Sequence, residues 1–302
     1  MTDATRGLFL ALFAYGVWGS FALFFSLVKH IPALEVLTHR ILWCAILVSA
    51  IITVTGAWKA IGQIFKQPKI LLALMLSSVM IAANWGLYIW SVSNNHTVDA
   101  SFGYFINPLI AVLLGVVFLK EKLATYQKLA IALAFCGVAY KIIVVGEFPW
   151  IALTIAITFS IYGLIRKQTP VDTVSGLMIE TLLVLPLAAG YFVWLSLTQT
   201  SHFALDSNGA LLVFAGIITA LPLLAFASAA RKLSLATLGF MTYIAPSLQL
   251  LSAVVVLGEP FARDEQITFG FIWLGLLLFT GGTVWRQRKT PAAITATGEK
   301  MS

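Results

Sequence analysis

Apolar stretches of about twenty residues recur along the whole chain, and short polar segments separate them. A helix rises about 1.5 Å per residue, so roughly 20 residues are needed to cross the hydrocarbon core of a bilayer. Hydrophobic residues make up 60% of the chain and charged residues only 10%, too few to cover a water-exposed surface. The pattern therefore predicts an all-α membrane protein with ten transmembrane helices, over residues 7–28, 34–56, 70–92, 99–119, 125–145, 149–165, 176–198, 209–229, 236–257 and 266–285.

The positions of the lysines and arginines predict how these helices cross the membrane. With the amino terminus in the cytoplasm, the polar segments on the outer side contain only Lys29, Lys141 and Arg263. Cytoplasmic segments are enriched in Lys and Arg because these residues resist translocation. We therefore expect a multi-pass protein of a bacterial inner (plasma) membrane with both termini in the cytoplasm. The same distribution explains the net charge of +7 without a nucleic-acid partner, and it places lysines where they can contact anionic membrane lipid.

Two parts of the chain resemble each other. Residues 100–104, ASFGY, resemble residues 236–240, ATLGF. A constant interval of 138 residues separates two further matching pairs, Pro108 and Pro246, and Glu121 and Glu259. The alternative explanation is that transmembrane segments resemble one another by composition alone.

Each of these parts contains five predicted helices. Because five is odd, the second part enters the membrane from the opposite side, which gives an inverted 5+5 repeat. Repeats of this kind are typical of secondary transporters, whose central site faces the two sides alternately. The predicted division is residues 1–146 for the first five-helix repeat, 147–286 for the second, inverted repeat and 287–302 for a disordered cytoplasmic tail.

Two prolines lie near the middle of the fourth and ninth predicted helices, at Pro108 and Pro246. A proline inside a helix removes a backbone hydrogen bond and kinks the helix. In lipid, the carbonyl that is left free must face protein or a water-filled cavity. We expect these kinked helices to line a central cavity, and a plain packing kink is the alternative.

Few ionisable residues lie inside the predicted spans: His39 beside Arg40 in the second, and Glu180 in the seventh. A charge in the bilayer is costly, so such residues are candidates for gating or coupling, with Glu180 as a proton carrier. Snorkelling or a structural ion pair is the alternative. Arg40 and Glu180 approach opposite membrane faces, so we expect no direct pair between them. Glu121 and Glu259 lie at span ends, where we expect each to cap a neighbouring helix N-terminus.

The centre of the predicted bundle is otherwise uncharged, and it contains aromatic and amide side chains. These suit a neutral, amphipathic or zwitterionic ligand better than a multiply charged one. The alternative is that they hydrogen-bond neighbouring helices together. The candidate cavity residues are Trp18, Asn84, Trp85, Tyr88, Tyr104, Asn107, Tyr162, Tyr243 and Gln249. Asn84, Tyr88, Tyr104 and Asn107 are the strongest candidates because they cluster on the third and fourth predicted helices.

No enzymatic or nucleotide-binding motif is present in the sequence. The phosphate-binding loop G-x-x-x-x-G-K-[ST] and the zinc motif H-E-x-x-H are both missing, so ATP-driven pumping by this chain is not expected. Neither Cys44 nor Cys136 has metal-ligand spacing. We predict no catalytic residues, no metal and no cofactor.

Five segments of the sequence are recognisable: residues 32–43, PALEVLTHRILW; 84–90, NWGLYIW; 103–109, GYFINPL; 243–246, YIAP; and 269–273, FGFIW. They resemble the RarD group of the EamA, drug/metabolite transporter superfamily. The resemblance covers nearly the whole chain. It implies ten helices in an inverted five-plus-five repeat, an inner-membrane location with both termini cytoplasmic, and a permease function.

The sequence as a whole predicts a secondary transporter that moves a small organic molecule by alternating access, as an exporter of drugs or metabolites. The expected partners are this substrate, membrane lipid and, for coupled transport, a proton or another ion. A membrane-embedded enzyme or a lipid scramblase is the main alternative, and a channel or a non-transporting scaffold is another.

Overall fold

The computed structural model of this chain describes residues 3–120, 122–230, 232–233, 237–238 and 241–289. These residues form helices and, within the described ranges, no strand, as the sequence predicts. The helices are α1 (Asp3–Gly19), α2 (Phe21–Leu27), α3 (Ala33–Thr55), α4 (Trp58–Phe65), α5 (Pro68–Ser93), α6 (Thr97–Leu119), α7 (Thr125–Tyr140), α8 (Trp150–Gln168), α9 (Thr173–Leu197), α10 (Ser207–Ala230), α11 (Ile244–Leu251) and α12 (Arg263–Lys289). A π-helical turn extends α7 over Lys141–Val145, and another extends α11 over Ser252–Val256.

The helices match the predicted spans closely. Within the described ranges, eight helices are long and apolar enough to cross a bilayer, and the bent pair α1–α2 makes a ninth. The shorter apolar helix Ile244–Val256 lies in the ninth predicted span, whose preceding residues fall partly outside the described ranges. The chain is therefore a multi-pass membrane protein with close to the predicted ten spans.

The first predicted span is broken, whereas the sequence predicted one continuous helix. It bends by 40° between α1 and α2, at Gly19 and Ser20. The Ser20 hydroxyl donates to the Gly16 carbonyl within the helix, a bond that often bends helices. A Cβ at Gly19 would lie 2.6 Å from Leu248 Cβ, so the missing side chain allows α1 to approach α11.

A short helix that was not predicted, α4, follows the second span. It is too short to cross a bilayer, and its buried residues Ile61 and Ile64 pack in a cluster with Ile52 and Leu74. The sequence placed this segment in a cytoplasmic loop. Hydropathy averaged over a whole span does not detect a helix of eight residues.

The two prolines differ in their surroundings. Pro108 lies inside the continuous helix α6, whereas Pro246 lies in the first turn of α11, after a turn at Thr242 and Tyr243. Proline is tolerated in a first helical turn because the N–H that it lacks would be unpaired there. A cavity-lining role for either proline remains a prediction.

The helix contacts of the first five spans match those of the last five. The match is found by exchanging each span with the span five places away along the chain. The α3–α10 contact then corresponds to the α9–α5 contact, and the α5–α8 contact corresponds to the α10–α1 contact. The contact of α6 with α8 likewise becomes that of α11 with α1, and α3–α9, α6–α11 and α7–α12 map onto themselves. This is the arrangement expected for an inverted 5+5 repeat.

The backbone supports the same relation. Lys120 has a φ of 56° and Gly258 a φ of 70°, both in the left-handed region, and they are separated by the same 138 residues as the matching prolines and glutamates. The division at residue 146 remains a prediction. Helix α12 continues to Lys289, three residues into the predicted tail, and the remaining tail residues 290–302 lie outside the described ranges.

Candidate functional site

Arg40 is buried where α3 meets three other helices. It lies seven residues into α3, about 10 Å from the helix start. Its Nε donates to Thr219 Oγ1 on α10 at 2.6 Å. Its guanidinium carbon lies 4.2 Å from the ring centroid of Trp85 on α5, and 5.2 and 5.6 Å from those of Phe21 and Phe25 on α2. Cations are attracted to aromatic ring faces at such distances. Because Thr219 belongs to the second predicted half, Arg40 joins helices of both halves.

Glu180 occupies the corresponding place in the other half, on α9, and it is also buried. Its Oε1 accepts a hydrogen bond from Ser77 Oγ on α5 at 2.5 Å and lies 3.6 Å from Arg166 Nε on α8, while Tyr162 Oη lies 3.5 Å from Oε2. Gly176, one turn earlier on α9, has no side chain, and the Arg166 guanidinium fills that space. Glu180 thus has an ion-pair partner, and its coupling role remains a prediction.

These two buried charges are related by the same exchange of spans. The Arg40–Thr219 bond joins the second and eighth spans, and the Glu180–Ser77 bond joins the seventh and third. Arg40 and Glu180 do not pair with each other, as the sequence predicts. The site therefore contains one charged side chain from each predicted half, each bonded to a hydroxyl of the other half.

Two spaces adjoin these residues. The Glu180 cleft, lined by Cys44, Trp85, Tyr162, Glu180 and Thr181 among others, has a volume of only about 10 Å³, enough for about one water molecule. The Phe21 groove lies between α1–α2 and α10 and has a volume of about 430 Å³. It is lined by Phe13, Phe21, Phe24, Phe214 and Ile218 among others. The rings of Phe13 and Phe214 are about half exposed at its rim.

Three of the predicted cavity residues join helices by hydrogen bonds. The Asn84 amide donates to the Ile155 carbonyl at 2.9 Å and accepts from the Tyr104 hydroxyl at 2.9 Å. The Asn107 amide donates to Ser160 Oγ at 2.8 Å. These bonds link α5 and α6 to α8, which is the alternative role that the sequence left open.

The remaining predicted cavity residues lie in three places. Trp85 and Tyr162 line the Glu180 cleft, and Tyr88 lies fully buried on the same helix as Trp85. Trp18 and Gln249 lie apart, between α1 and α11, where the Gln249 amide donates to the Trp18 carbonyl at 3.0 Å. Tyr243 also lies apart, packed against an apolar cluster to which α6, α7, α8, α11 and α12 contribute. The structure therefore brings part of the predicted set together around Trp85.

Glu35, a buried carboxylate that the sequence analysis did not select, holds the segment between α9 and α10. It is 0% exposed and lies in the first turn of α3. Its Oε1 accepts from the backbone N–H of His202 at 2.6 Å and from Ser201 Oγ at 3.1 Å, and its Oε2 lies 2.7 Å from His202 Nδ1. His39, one turn further along α3, stacks on Phe203 with ring centroids 4.8 Å apart. His39 thus contacts the same segment through its ring face, and a gating role for it remains a prediction.

Replacing Glu35 with alanine should release the segment Ser201–Phe203. Hydrogen bonds to a charged group contribute about 1.5–3 kcal/mol each. We expect backbone amide exchange in residues 201–203 to accelerate roughly 10- to 100-fold, measured by hydrogen–deuterium exchange mass spectrometry. Glu147→Ala is the matched control, because its carboxylate is exposed and lies 3.8 Å from Lys141. Unchanged exchange in the Glu35 variant would show that other contacts hold the segment.

Glu259 caps a helix of the other half, as the sequence predicts. Its two carboxylate oxygens accept from the backbone N–H groups of Thr97 and Val98, at 2.9 and 2.8 Å, at the start of α6. A carboxylate is stabilised there by the positive end of the helix dipole. The equivalent cap predicted for Glu121 lies outside the described residues.

Known proteins resemble this chain over nearly its whole length. Residues 5–142 match the model of the EamA-like transporter family. An "uncharacterized transporter" of Vibrio cholerae is 44% identical over 92% of this chain and 93% of its own length. "Protein RarD" of Salmonella typhimurium is 43% identical over 94% of this chain and 97% of its own.

A solved crystal structure of a protein that is 18% identical superposes with a TM-score of 0.57, covering 92% of this chain and 98% of the other, and this similarity concerns the fold alone. The sequence identities to full-length relatives are high enough to assign a family. The chain belongs to the EamA-like transporter family, in its RarD-type group.

Proposed function

We propose that this membrane protein is a secondary transporter that moves a small organic molecule across a bacterial inner membrane by alternating access, in the direction of export. One observation carries the proposal: Arg40 and Glu180 are both buried at contacts between the first five and the last five spans. Burying a charge in the membrane is costly, so residues that do so usually serve the transported species. In alternating access, this is the interface that opens and closes.

The spaces at this interface fit such a cycle. Ligand sites usually measure about 300–1,000 Å³. The Phe21 groove falls within this range, whereas the Glu180 cleft is far smaller. A substrate reaches the Glu180 cleft only after α3, α5 and α9 move apart. The proposed arrangement has residues 1–146 and 147–286 as the two moving halves, with the tail 287–302 and both termini in the cytoplasm.

Counterflow in proteoliposomes tests this function. Liposomes preloaded with one unlabelled compound from a panel of organic acids, amides and amines receive the same compound in labelled form. A carrier gives saturable uptake that internal compound accelerates, whereas a channel gives uptake without that acceleration. Single cysteines at the exposed positions Lys66 and Ser207 report orientation, because the proposed topology places them on opposite sides. Labelling of both from one side would contradict the arrangement of the halves.

A fluorescent-lipid assay on the same liposomes addresses the alternative function. Transbilayer movement of labelled phospholipid without counterflow of any compound would contradict the carrier and favour a scramblase. The relatives named as transporters support the carrier for this chain.

A further inference from the structure

We propose that the transported molecule is a small organic anion with an aromatic or apolar body, and that its anionic group binds Arg40. This inference rests on the proposed function and names the substrate class of the same site. It differs from the neutral, amphipathic or zwitterionic ligand that the sequence favoured, because the structure places the Arg40 guanidinium 4.2 Å from the ring centroid of Trp85, a residue that was expected to line an uncharged cavity.

The first argument is the missing counter-charge of Arg40. Arginine stays protonated in proteins, and its planar guanidinium has five N–H donors. Within the described part of the chain, Nε→Thr219 is the only hydrogen bond that Arg40 donates, and no carboxylate lies within ion-pair distance. The two terminal nitrogens therefore have four N–H groups for which the described residues provide no acceptor. A carboxylate binds such a pair of nitrogens through two parallel hydrogen bonds.

Among the described residues, the other buried charges have partners, so the missing counter-charge is specific to Arg40. Glu35 is paired with His202, Lys141 with Asp99 at 3.0 Å, and Glu180 with Arg166. Glu259 binds the N–H groups at the start of α6. Each of these charges is compensated by a group of opposite charge, by a helix terminus or, for Glu35, by hydrogen bonds from Ser201 and His202. Among the residues that the structure describes, Arg40 contacts aromatic rings and one hydroxyl, and these leave its positive charge uncompensated in a low-dielectric region.

A second donor without a partner packs against one of the rings that contact Arg40. The hydroxyl of Tyr88 is buried and has no hydrogen-bond partner within the described residues. The Tyr88 ring packs against Phe25, with centroids 6.1 Å apart, and Phe25 also contacts the Arg40 guanidinium. Burying a hydroxyl without a hydrogen-bond partner reduces the stability of the protein by about 1–3 kcal/mol. An anion that accepts from both Arg40 and Tyr88 satisfies the two groups at once.

The Phe21 groove provides the place for the apolar body. The Phe21 ring lines the groove and lies 5.2 Å from the Arg40 guanidinium carbon, so it separates the groove from the charge. Ile218, which also lines the groove, precedes Thr219, the hydrogen-bond partner of Arg40. Helix α2 has only seven residues and follows the 40° bend. In the proposed binding event, the Phe21 side chain rotates away and the groove connects to Arg40.

Binding of matched compounds to the protein in nanodiscs tests the proposal. The probes are indole-3-acetate with indole-3-acetamide, and 3-phenylpropanoate with 3-phenylpropanamide, which differ mainly in charge. We expect each acid to bind the wild type roughly 10- to 100-fold more tightly than its amide, the range for a hydrogen-bonded charge pair. Arg40→Gln should abolish this preference. Lys128→Gln, which removes an exposed positive charge, should leave it unchanged.

Two further variants keep the test decisive if Arg40→Gln does not fold. Arg40→Lys retains the positive charge but not the two nitrogens that bind a carboxylate through parallel hydrogen bonds, so it should keep a weaker preference for the acids. Tyr88→Phe should lower acid affinity severalfold and leave amide affinity unchanged. Equal binding of acids and amides by the wild type, no binding of either acid, or full preference in Arg40→Gln would overturn the proposal. Wild-type affinities in both Arg40→Lys and Tyr88→Phe would also overturn it.

Counterflow with the same compounds separates this inference from the proposed function. Acid binding that depends on Arg40, without counterflow of either acid, would contradict the transporter and leave the anion site intact. Counterflow of an amide at equal rates by the wild type and Arg40→Gln would retain the transporter and contradict the anion site.

Discussion

Replacing Gly216 with leucine is expected to eliminate the folded protein. Gly216 lies on α10 where this helix crosses α3, and a Cβ there would lie 2.6 Å from the backbone nitrogen of Cys44 and 2.7 Å from the carbonyl carbon of Trp43. Atoms of the main chain cannot turn aside as a side chain can, so α3 and α10 must separate. Overpacking typically costs about 1–3 kcal/mol even where neighbours can adjust. Separation would also break the Arg40–Thr219 bond, one turn along α10.

Gly163→Leu provides the matched control for this prediction. Gly163 lies on α8 and is exposed, and a Cβ added there would meet nothing within 4 Å. The measurement is the monodisperse fraction after detergent extraction, by size-exclusion chromatography, together with the thermal unfolding midpoint. We expect Gly163→Leu to resemble the wild type and Gly216→Leu to give no monodisperse peak. A wild-type peak and midpoint for Gly216→Leu would contradict the close approach of the two helices.

Replacing Glu180 with glutamine is expected to reduce transport driven by a pH gradient to the level of empty liposomes. Glutamine can keep hydrogen bonds to Ser77 and Tyr162, but it cannot gain or lose a proton or form the ion pair with Arg166. If Glu180 carries the coupling proton, exchange of substrate without a gradient should persist while gradient-driven uptake disappears. Comparing these two rates in one liposome preparation separates loss of coupling from loss of folding.

Asp172→Asn is the control for this experiment. Asp172 caps the start of α9, the helix that contains Glu180, and asparagine is an equally good cap. Partial burial raises the pKa of Asp172, but hydrogen bonds from the N–H groups of Ser175 and Val174 lower it further, so its pKa is below the usual value. Asp172 therefore stays ionised at neutral pH and carries no proton. Gradient-driven transport by Glu180→Gln at the wild-type rate would reject the coupling role and leave a structural ion pair.

The spans could be predicted because the bilayer sets the length of an apolar helix. The prediction of residues 34–56 for the helix Ala33–Thr55 follows from that constraint alone. The bend at Gly19 and Ser20, the short helix α4 and the π-helical turns depend on single hydrogen bonds and close contacts between helices. Hydropathy averaged over a whole span contains no information about such local features.

The site was predicted less completely because, inside a membrane, the same residue types line cavities and hydrogen-bond neighbouring helices together. Asn84 and Asn107 were expected in a cavity, yet both hydrogen-bond to α8, since a buried amide needs a partner wherever it lies. Glu35 was missed because an acid in the first turn of a span is ordinarily placed at the membrane surface. Its partner Ser201–Phe203 lies 166 residues away, and no local pattern shows that such distant segments meet. Arg40 was selected, but the structure was needed to show that no carboxylate of the described residues pairs with it.

At Lys120, the left-handed backbone affects the folded protein, whereas the charge of the side chain acts during membrane insertion. Glycine takes this conformation without strain, as Gly258 does in the matching position, whereas a lysine there costs about 1–2 kcal/mol. That strain exists only in the finished structure, while the charge is sensed earlier, when the nascent polypeptide is inserted and oriented by the translocation machinery. In the proposed topology, Lys120 lies on the cytoplasmic side, so its charge would favour the correct insertion at the expense of the mature fold, whereas Gly258 on the other side carries no such charge.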